Sequence, residues 1–235
     1  MIGFGLPMSE FESSGLMRIY TALRGHFGDP NWWPGDTEFE ICIGAILTQN
    51  TFWKNVETAI DRLRENGLLD PGERLKAVKA RITQSIKPAG YYNQKAEYLI
   101  NFCYEFMNRW EGDFNLMASD PKEETRRGLL SIRGIGPETA DSILCYCLNK
   151  PIFVVDAYTK RIFHRLDPNS YNGIISIGGS AYSSISHMVM DNCSGDHLFY
   201  NRFHALLVLL GKGYCRRKPL CESCPLRSFC GFFKR

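Results

Sequence analysis

Apolar residues recur along this chain at the three-to-four-residue spacing of helices and almost nowhere at the alternating spacing of strands. Leu16, Ile19, Tyr20, Leu23 and Phe27 share one helical face. Residues 41–47 follow Thr37-x-x-Glu40, a pattern that caps a helix start from both ends. Val56, Ile60 and Leu63 mark a second amphipathic segment. Ala96, Leu99, Ile100, Cys103 and Phe106 mark a third, with Asn93 placed to cap it. Asp120-Pro121-x-Glu123 opens a helix that leads to Leu129, Leu130 and Ile132. Further helices are expected over 137–148, after Asp156, around 180–190 and over 197–210. The apolar run 152–155 is too short to argue for a strand, and no repeat or low-complexity linker interrupts the pattern. The predicted fold class is all-α.

Composition narrows this picture only slightly. The 235 residues suffice for one large or two small domains, and 44% hydrophobic with 23% charged residues is ordinary for a globular chain. A net charge of +3 permits nucleic-acid binding without arguing for it. Two basic groups stand out: Arg126, Arg127 and Arg133, then Lys160, Arg161 and Arg165. Each could be no more than a solvated helix face, but together they flank the motif described next. No apolar run is long enough to span a membrane, and MIGFGLPMSEFESS lacks the charged start and apolar core of a signal peptide. The expectation is an intracellular, cytoplasmic protein of prokaryotic type. Nine cysteines in that setting argue against a disulfide framework. Five of them, Cys42, Cys103, Cys145, Cys147 and Cys193, are scattered in apolar stretches and read as small buried hydrophobes.

Chemistry is concentrated between Leu129 and Asp156. Gly134-Ile135-Gly136 forms a tight turn between two helical segments, where glycines admit a sharp backbone bend and close approach of a partner. Pro137 suits a first helical position, and the following helix start offers free N–H groups to a phosphate. Asp156 then stands at the end of an apolar run and opens another helix. Its plain structural role is an N-cap. Earlier, Trp32-Trp33-Pro34 lies in a turn-like stretch between Asn31 and Gly35, followed by Leu47-Thr48-Gln49-Asn50-Thr51-Phe52-Trp53. Aromatic clusters are more often core than ligand cage, but this one does not follow a helical stripe.

Cys215, Cys221, Cys224 and Cys230 form C-x5-C-x2-C-x5-C, a metal signal with two readings. Structural zinc sites usually join two close cysteine pairs. A single C-x2-C with outlying cysteines better suits a [4Fe–4S] cluster, in the role of a structural staple. Arg216, Arg217 and Lys218 project from that loop and serve either solubility or phosphate contact.

The strings Ile132-Arg133-Gly134-Ile135-Gly136-Pro137-Glu138-Thr139-Ala140-Asp141 and Val154-Val155-Asp156-Ala157-Tyr158-Thr159-Lys160-Arg161 closely resemble the helix-hairpin-helix DNA glycosylases of the endonuclease III superfamily. The cysteine cluster resembles the same superfamily, with five residues in the first gap where the family has six. The WWP and LTQNT segments resemble its 3-methyladenine DNA glycosylase branch. The resemblance runs from about Trp32 to Cys230 and implies two helical lobes with DNA and the active site in the cleft between them. One lobe would be a helical barrel over 39–149. The other would join 1–38 to 150–235 and carry the cluster loop 215–230.

By the same resemblance Asp156 is catalytic, and Gly134, Ile135, Gly136, Arg133 and Lys160 bind DNA. Trp32, Trp33, Pro34 and Trp53 line the base pocket, with Phe52 as the alternative to Trp53 one position away. Gln49 fills the gap left in the duplex. Glu138 stands where bifunctional members carry the lysine that forms a Schiff base; a carboxylate cannot form an imine. A favourable first-turn acid is its plain structural role, but an acid facing DNA phosphates would repel them, so a pocket-facing place in the catalytic site is expected for Glu138. A monomeric, monofunctional glycosylase for alkylated purines in double-stranded DNA is expected, leaving an abasic site for a downstream endonuclease. The alternatives are a uracil or thymine mismatch glycosylase, a non-catalytic damage-binding module and, more weakly, a redox protein. None of the five histidines lies near the tryptophans or in the hairpin-to-Asp156 segment along the sequence, so no histidine general acid is expected.

Overall fold

The computed structural model describes residues 15–30, 32–33, 35–77, 79–167 and 181–234. Among them the regular structure is helical and no strand forms. It divides into two compact units, Trp33–Lys150 and a discontinuous one joining Met1–Trp32 to Pro151–Arg235. No helix among the described residues is long and apolar enough to cross a membrane.

The Trp33–Lys150 unit contains α2 (Glu38–Leu47), α3 (Trp53–Glu65), α4 (Pro71–Lys76), α5 (Lys79–Ser85), α6 (Tyr92–Trp110), α7 (Phe114–Ser119), α8 (Lys122–Leu130) and α9 (Pro137–Ser142). An aromatic spine runs through this unit: Phe39 stacks on Phe102 and Phe102 on Phe106, with centroids 6.4 and 5.7 Å apart, and Phe114 meets Phe106 at a tilt at 4.4 Å. Charges buried in this unit are saturated by neighbours. Glu40 accepts from Arg64 Nη2 at 2.7 Å and from the Asp36 N–H at 2.9 Å. Lys95, only 2% exposed, donates to the carbonyls of Leu47 and Ala89 at 2.9 and 2.8 Å, closing two helix ends. Burial pushes the Lys95 ammonium down to about 8.

The other unit contains α1 (Leu16–Phe27), α10 (Ala157–Leu166), α11 (Ala181–Asn192) and α12 (His197–Gly213). Tyr20 of α1 meets Phe199 and Phe203 of α12 at 4.7 and 5.6 Å, and Phe153 packs on Phe203 at 5.5 Å. The apolar run 152–155 is a buried segment outside any helix or strand.

Local chemistry revises several predicted boundaries. Thr37 caps α2 by accepting from the Glu40 N–H at 3.2 Å, but Glu40 reaches back to Asp36 and not to Thr37. Tyr91, in the left-handed region, takes the N-cap position of α6, which leaves the predicted cap Asn93 inside the helix. Asp120 does not cap α8; it accepts from Trp110 Nε1 at 2.8 Å, and Pro121 occupies the cap. The helix expected over 137–148 is α-helical only to Ser142 and continues as a π turn over Ile143–Cys147. The start predicted near 180 lies at the edge of the described residues; α11 is seen from Ala181.

Candidate active site

Helices α8 and α9 form the hairpin. Gly134 has φ +104°, and a Cβ there would stand 2.1 Å from the Tyr98 ring of α6, so the position requires glycine on both counts. Gly136 is different: its φ of −93° suits any residue, and a Cβ would meet open space. Its small size leaves the exposed face of the turn uncovered. Ile135 is buried, and its N–H closes the turn on the Ile132 carbonyl at 3.0 Å. Arg133 is exposed, with its carbonyl held by Asn101. Gln49 donates to the Gly134 carbonyl at 2.9 Å and to Thr139 Oγ1 at 3.1 Å, which ties the LTQNT segment to the hairpin. Glu138 is exposed in the first turn of α9.

Of the basic group before the hairpin, Arg126 makes a two-pronged pair with buried Asp141 at 2.6 and 3.1 Å, and Arg127 pairs with Glu124. Those two cations are committed within the protein. Arg133 alone of the three lies at the turn.

The predicted aromatic residues part company. Trp33 stacks on Tyr146 at 5.3 Å and meets Trp53 edge-on at 4.7 Å. Gly44 makes room for both, since a Cβ there would press on Trp33 Nε1 at 3.3 Å and on Trp53 Cη2 at 3.4 Å. Phe52 is 78% exposed, so Trp53 is the member of that pair that joins the rings. Trp32 belongs to the other unit, where Lys212 Nζ lies 5.8 Å from its ring centroid and the His204 ring meets it edge-on at 6.4 Å. Pro34 lies outside the described residues.

Asp156 is the N-cap of α10, with Oδ1 accepting from the Thr159 N–H at 2.7 Å. Its side chain is 13% exposed, and Oδ2 stands 3.7 Å from His204 Nε2 of α12. Burial raises the carboxyl pKa, but His204 and then the Thr159 N–H outweigh it. The group is held below the ordinary carboxylate range. His204 thus joins Asp156 to Trp32. Sequence distance concealed it, and its place on the buried face of α12 was the only available signal.

The two arginines of the second basic group are also redirected. Lys160 lies over the Tyr182 ring at 5.7 Å. Arg161 donates to the Cys215 and Gly211 carbonyls at 2.8 and 3.2 Å. Arg165 donates to the carbonyls of Arg216 and Arg217 and to Cys215 Sγ at 3.4 Å. The Gly231 and Phe232 N–H groups return to the Leu166 and Arg165 carbonyls at 2.9 and 3.0 Å. The helix that Asp156 caps therefore clamps the cysteine loop at its other end.

Cys215, Cys221, Cys224 and Cys230 are half-buried thiols. Burial, and then the proximity of the other members of the set, pushes Cys221 and Cys224 up. Four soft sulfur donors gathered on one loop fit an iron–sulfur cluster as a ligand set. Among the described residues no three His, Cys, Asp or Glu side chains converge to hold a single metal ion. The remaining five cysteines are buried, as expected.

Residues 43–172 match the model of the HhH-GPD superfamily base excision DNA repair protein. A Methanocaldococcus jannaschii protein provisionally named as a DNA repair glycosylase is 42% identical over 225 residues, 95% of this chain and 99% of its own length. Among solved structures, a trapped endonuclease III–DNA covalent intermediate superposes with a TM-score of 0.78 at 20% identity, over 94% of this chain and 97% of that one. An H. pylori 3-methyladenine DNA glycosylase bound to 1,N6-ethenoadenine superposes with a TM-score of 0.69 at 25% identity, over 84% of this chain and 97% of that one.

Proposed function

Because this chain belongs to the HhH-GPD superfamily of base excision DNA repair proteins, we propose that it is a monofunctional glycosylase for alkylated purines. Membership makes it a DNA glycosylase of base excision repair; the lesion and the reaction subtype are our reading. The observation that carries it is Asp156, a largely buried carboxylate held in its ionised form.

Cleavage of an N-glycosidic bond loads positive charge onto the sugar. A fixed carboxylate in a poorly solvated place stabilises that charge strongly. In the reaction the C1′–N bond breaks and the base leaves with the electron pair. Water forms the new C1′–O bond, and Asp156 accepts its proton. An N3- or N7-alkylated purine is cationic, so the departing pair neutralises it and no acid is required. Glu138 in place of a lysine supports hydrolysis without an imine or strand cleavage.

Flat aromatic surface supports a purine substrate. Trp33 and Trp53, half-buried and edge-on at 4.7 Å, are the rings of the Trp33–Lys150 unit that would supply it. Stacking and cation–π attraction would select an extruded cationic base, and damage lowers the cost of flipping it out. The likeness to a 3-methyladenine glycosylase points the same way. The hairpin turn with Arg133, together with Gln49 and Lys160, would contact the duplex. Cys215, Cys221, Cys224 and Cys230 would hold a [4Fe–4S] cluster, which when bound supplies a tie that orders the loop. The protein would act as a monomer and pass an intact strand with an abasic site to an endonuclease.

The test is incubation with methylated duplex DNA and identification of the bases set free. Release of 3-methyladenine or 7-methylguanine, with strands intact until alkali is added, is expected. Release of thymine or uracil from mismatched duplexes instead would replace the substrate. Tight DNA binding with no base released from either would make the chain a damage-binding module.

A further inference from the structure

The two oxygens of Asp156 have unequal surroundings. Oδ1 is fixed by the Thr159 N–H at 2.7 Å, which by itself satisfies an N-cap. Oδ2 faces His204 Nε2 at 3.7 Å, and both side chains are largely buried. The His204 ring is braced edge-on by Trp32, a residue expected in the base pocket. A histidine is an expensive group to bury, and helix capping does not call for one here.

We propose that His204 is a positioning residue for Asp156: its neutral imidazole donates the Nε2–H toward Oδ2 and fixes the plane of the carboxylate. This rests on the reading of Asp156 as the catalytic carboxylate. The 3.7 Å gap is longer than a formed hydrogen bond, and catalytic contacts of this kind tighten when substrate binds. The charge state matters for a simple reason. A neutral donor orients the carboxylate and leaves its negative charge available to the sugar cation. An imidazolium would cancel much of that charge, so protonation of His204 slows the reaction.

Several other charged groups on the elements packed here have partners of their own, whereas Lys212 of α12 lies over the Trp32 ring that braces His204. On α10, Lys160 lies over Tyr182 and Arg161 binds the Cys215 and Gly211 carbonyls. On α12, Arg202 pairs with Asp29. On α1, Arg24 faces Asp29 and His26 is bonded to Tyr214.

The experiment is single-turnover base release across pH for the full-length protein and for His204→Ala, His204→Gln and Asp156→Asn. DNA affinity of each is measured alongside. His204→Ala is expected to slow chemistry about 100-fold with Kd for DNA unchanged, the scale of loss when a reacting group is misplaced. His204→Gln keeps an N–H donor that cannot be protonated. It should recover most of the rate and remove the acid limb of the wild-type profile. Wild-type rates in His204→Ala at every pH would overturn the proposal. So would a His204→Gln protein as slow as His204→Ala with the limb unchanged.

A readout independent of turnover is the titration midpoint of Asp156 by carbon NMR, expected to rise in His204→Ala, which lacks the donor; an unchanged midpoint in that variant would overturn the proposal. Asp156→Asn separates the two readings. If it still releases base, the catalytic assignment falls and this proposal with it. If it is inactive while the His204 variants behave as wild type, only the role of His204 falls.

Discussion

Asp141 and Asp156 stand close in sequence, and their surroundings could hardly differ more. Asp141, in the Trp33–Lys150 unit, is fully buried and gripped on both oxygens by Arg126. Asp156, in the other unit, has one oxygen capped and the other facing a histidine across a wider gap. The saturated carboxylate has no capacity left for chemistry and serves stability. The half-satisfied one is held ionised yet keeps an oxygen available. The same contrast runs through the two units. In the first, Glu40, Lys95 and Asp141 are all enclosed by strong partners. In the second, arginines of α10 serve a loop that has little core of its own.

The largest effect that would sharpen this contrast is on turnover. Asp156→Asn should reduce base release by about 1,000-fold, the scale seen when a group aimed at transition-state charge is removed, with the thermal midpoint little changed. A comparable loss of folding stability would erase the distinction. Asp141→Ala should do the reverse. Leaving Arg126 unpaired beside the core is expected to cost about 3–5 kcal/mol in denaturant unfolding, with activity retained in whatever fraction folds.

Gly134→Ala comes next, at about 2–4 kcal/mol, because the positive φ and the Tyr98 ring both resist a side chain. Gly136→Ala, which meets neither obstacle, should leave stability nearly unchanged and weaken DNA binding. Equal destabilisation by both would show that the hairpin glycines are interchangeable.

The smallest effects are pH-linked and have opposite signs. Burial lowers Lys95 to about 8, so above that pH the unfolded chain binds more protons than the folded one. Stability relative to Lys95→Met should therefore rise with pH from about 8 to about 10.4. Asp156 is depressed, so its contribution is complete at neutral pH and is lost only as pH falls below about 3.9. The small difference in thermal midpoint between wild type and Asp156→Asn should be constant above about pH 4 and disappear below it.

Much of this was legible in the chain. The long helices were, because α1, α3, α6 and α12 carry apolar residues at helical spacing over three or more turns. The short ones, α4, α5 and α7, were not, since six or seven residues give the periodicity too little room. Cap positions failed where a side chain had a better partner, as Asp120 does in Trp110. The basic residues around the hairpin were visible as charges, but their partners were not. Arg126 serves Asp141, and Arg161 and Arg165 serve the cysteine loop.

The sequence by itself determined the helical class, the hairpin glycines, the isolated Asp156, the missing lysine at Glu138 and the four clustered cysteines. Each depends on residue type and short spacing, and local backbone chemistry translates those directly. Only the tertiary structure decided that Trp53 and not Phe52 joins Trp33, that Gln49 holds the hairpin and that His204 stands behind Asp156. Those pairings join positions far apart along the chain. Packing sets them, and no local pattern encodes which distant side chain will fill the space.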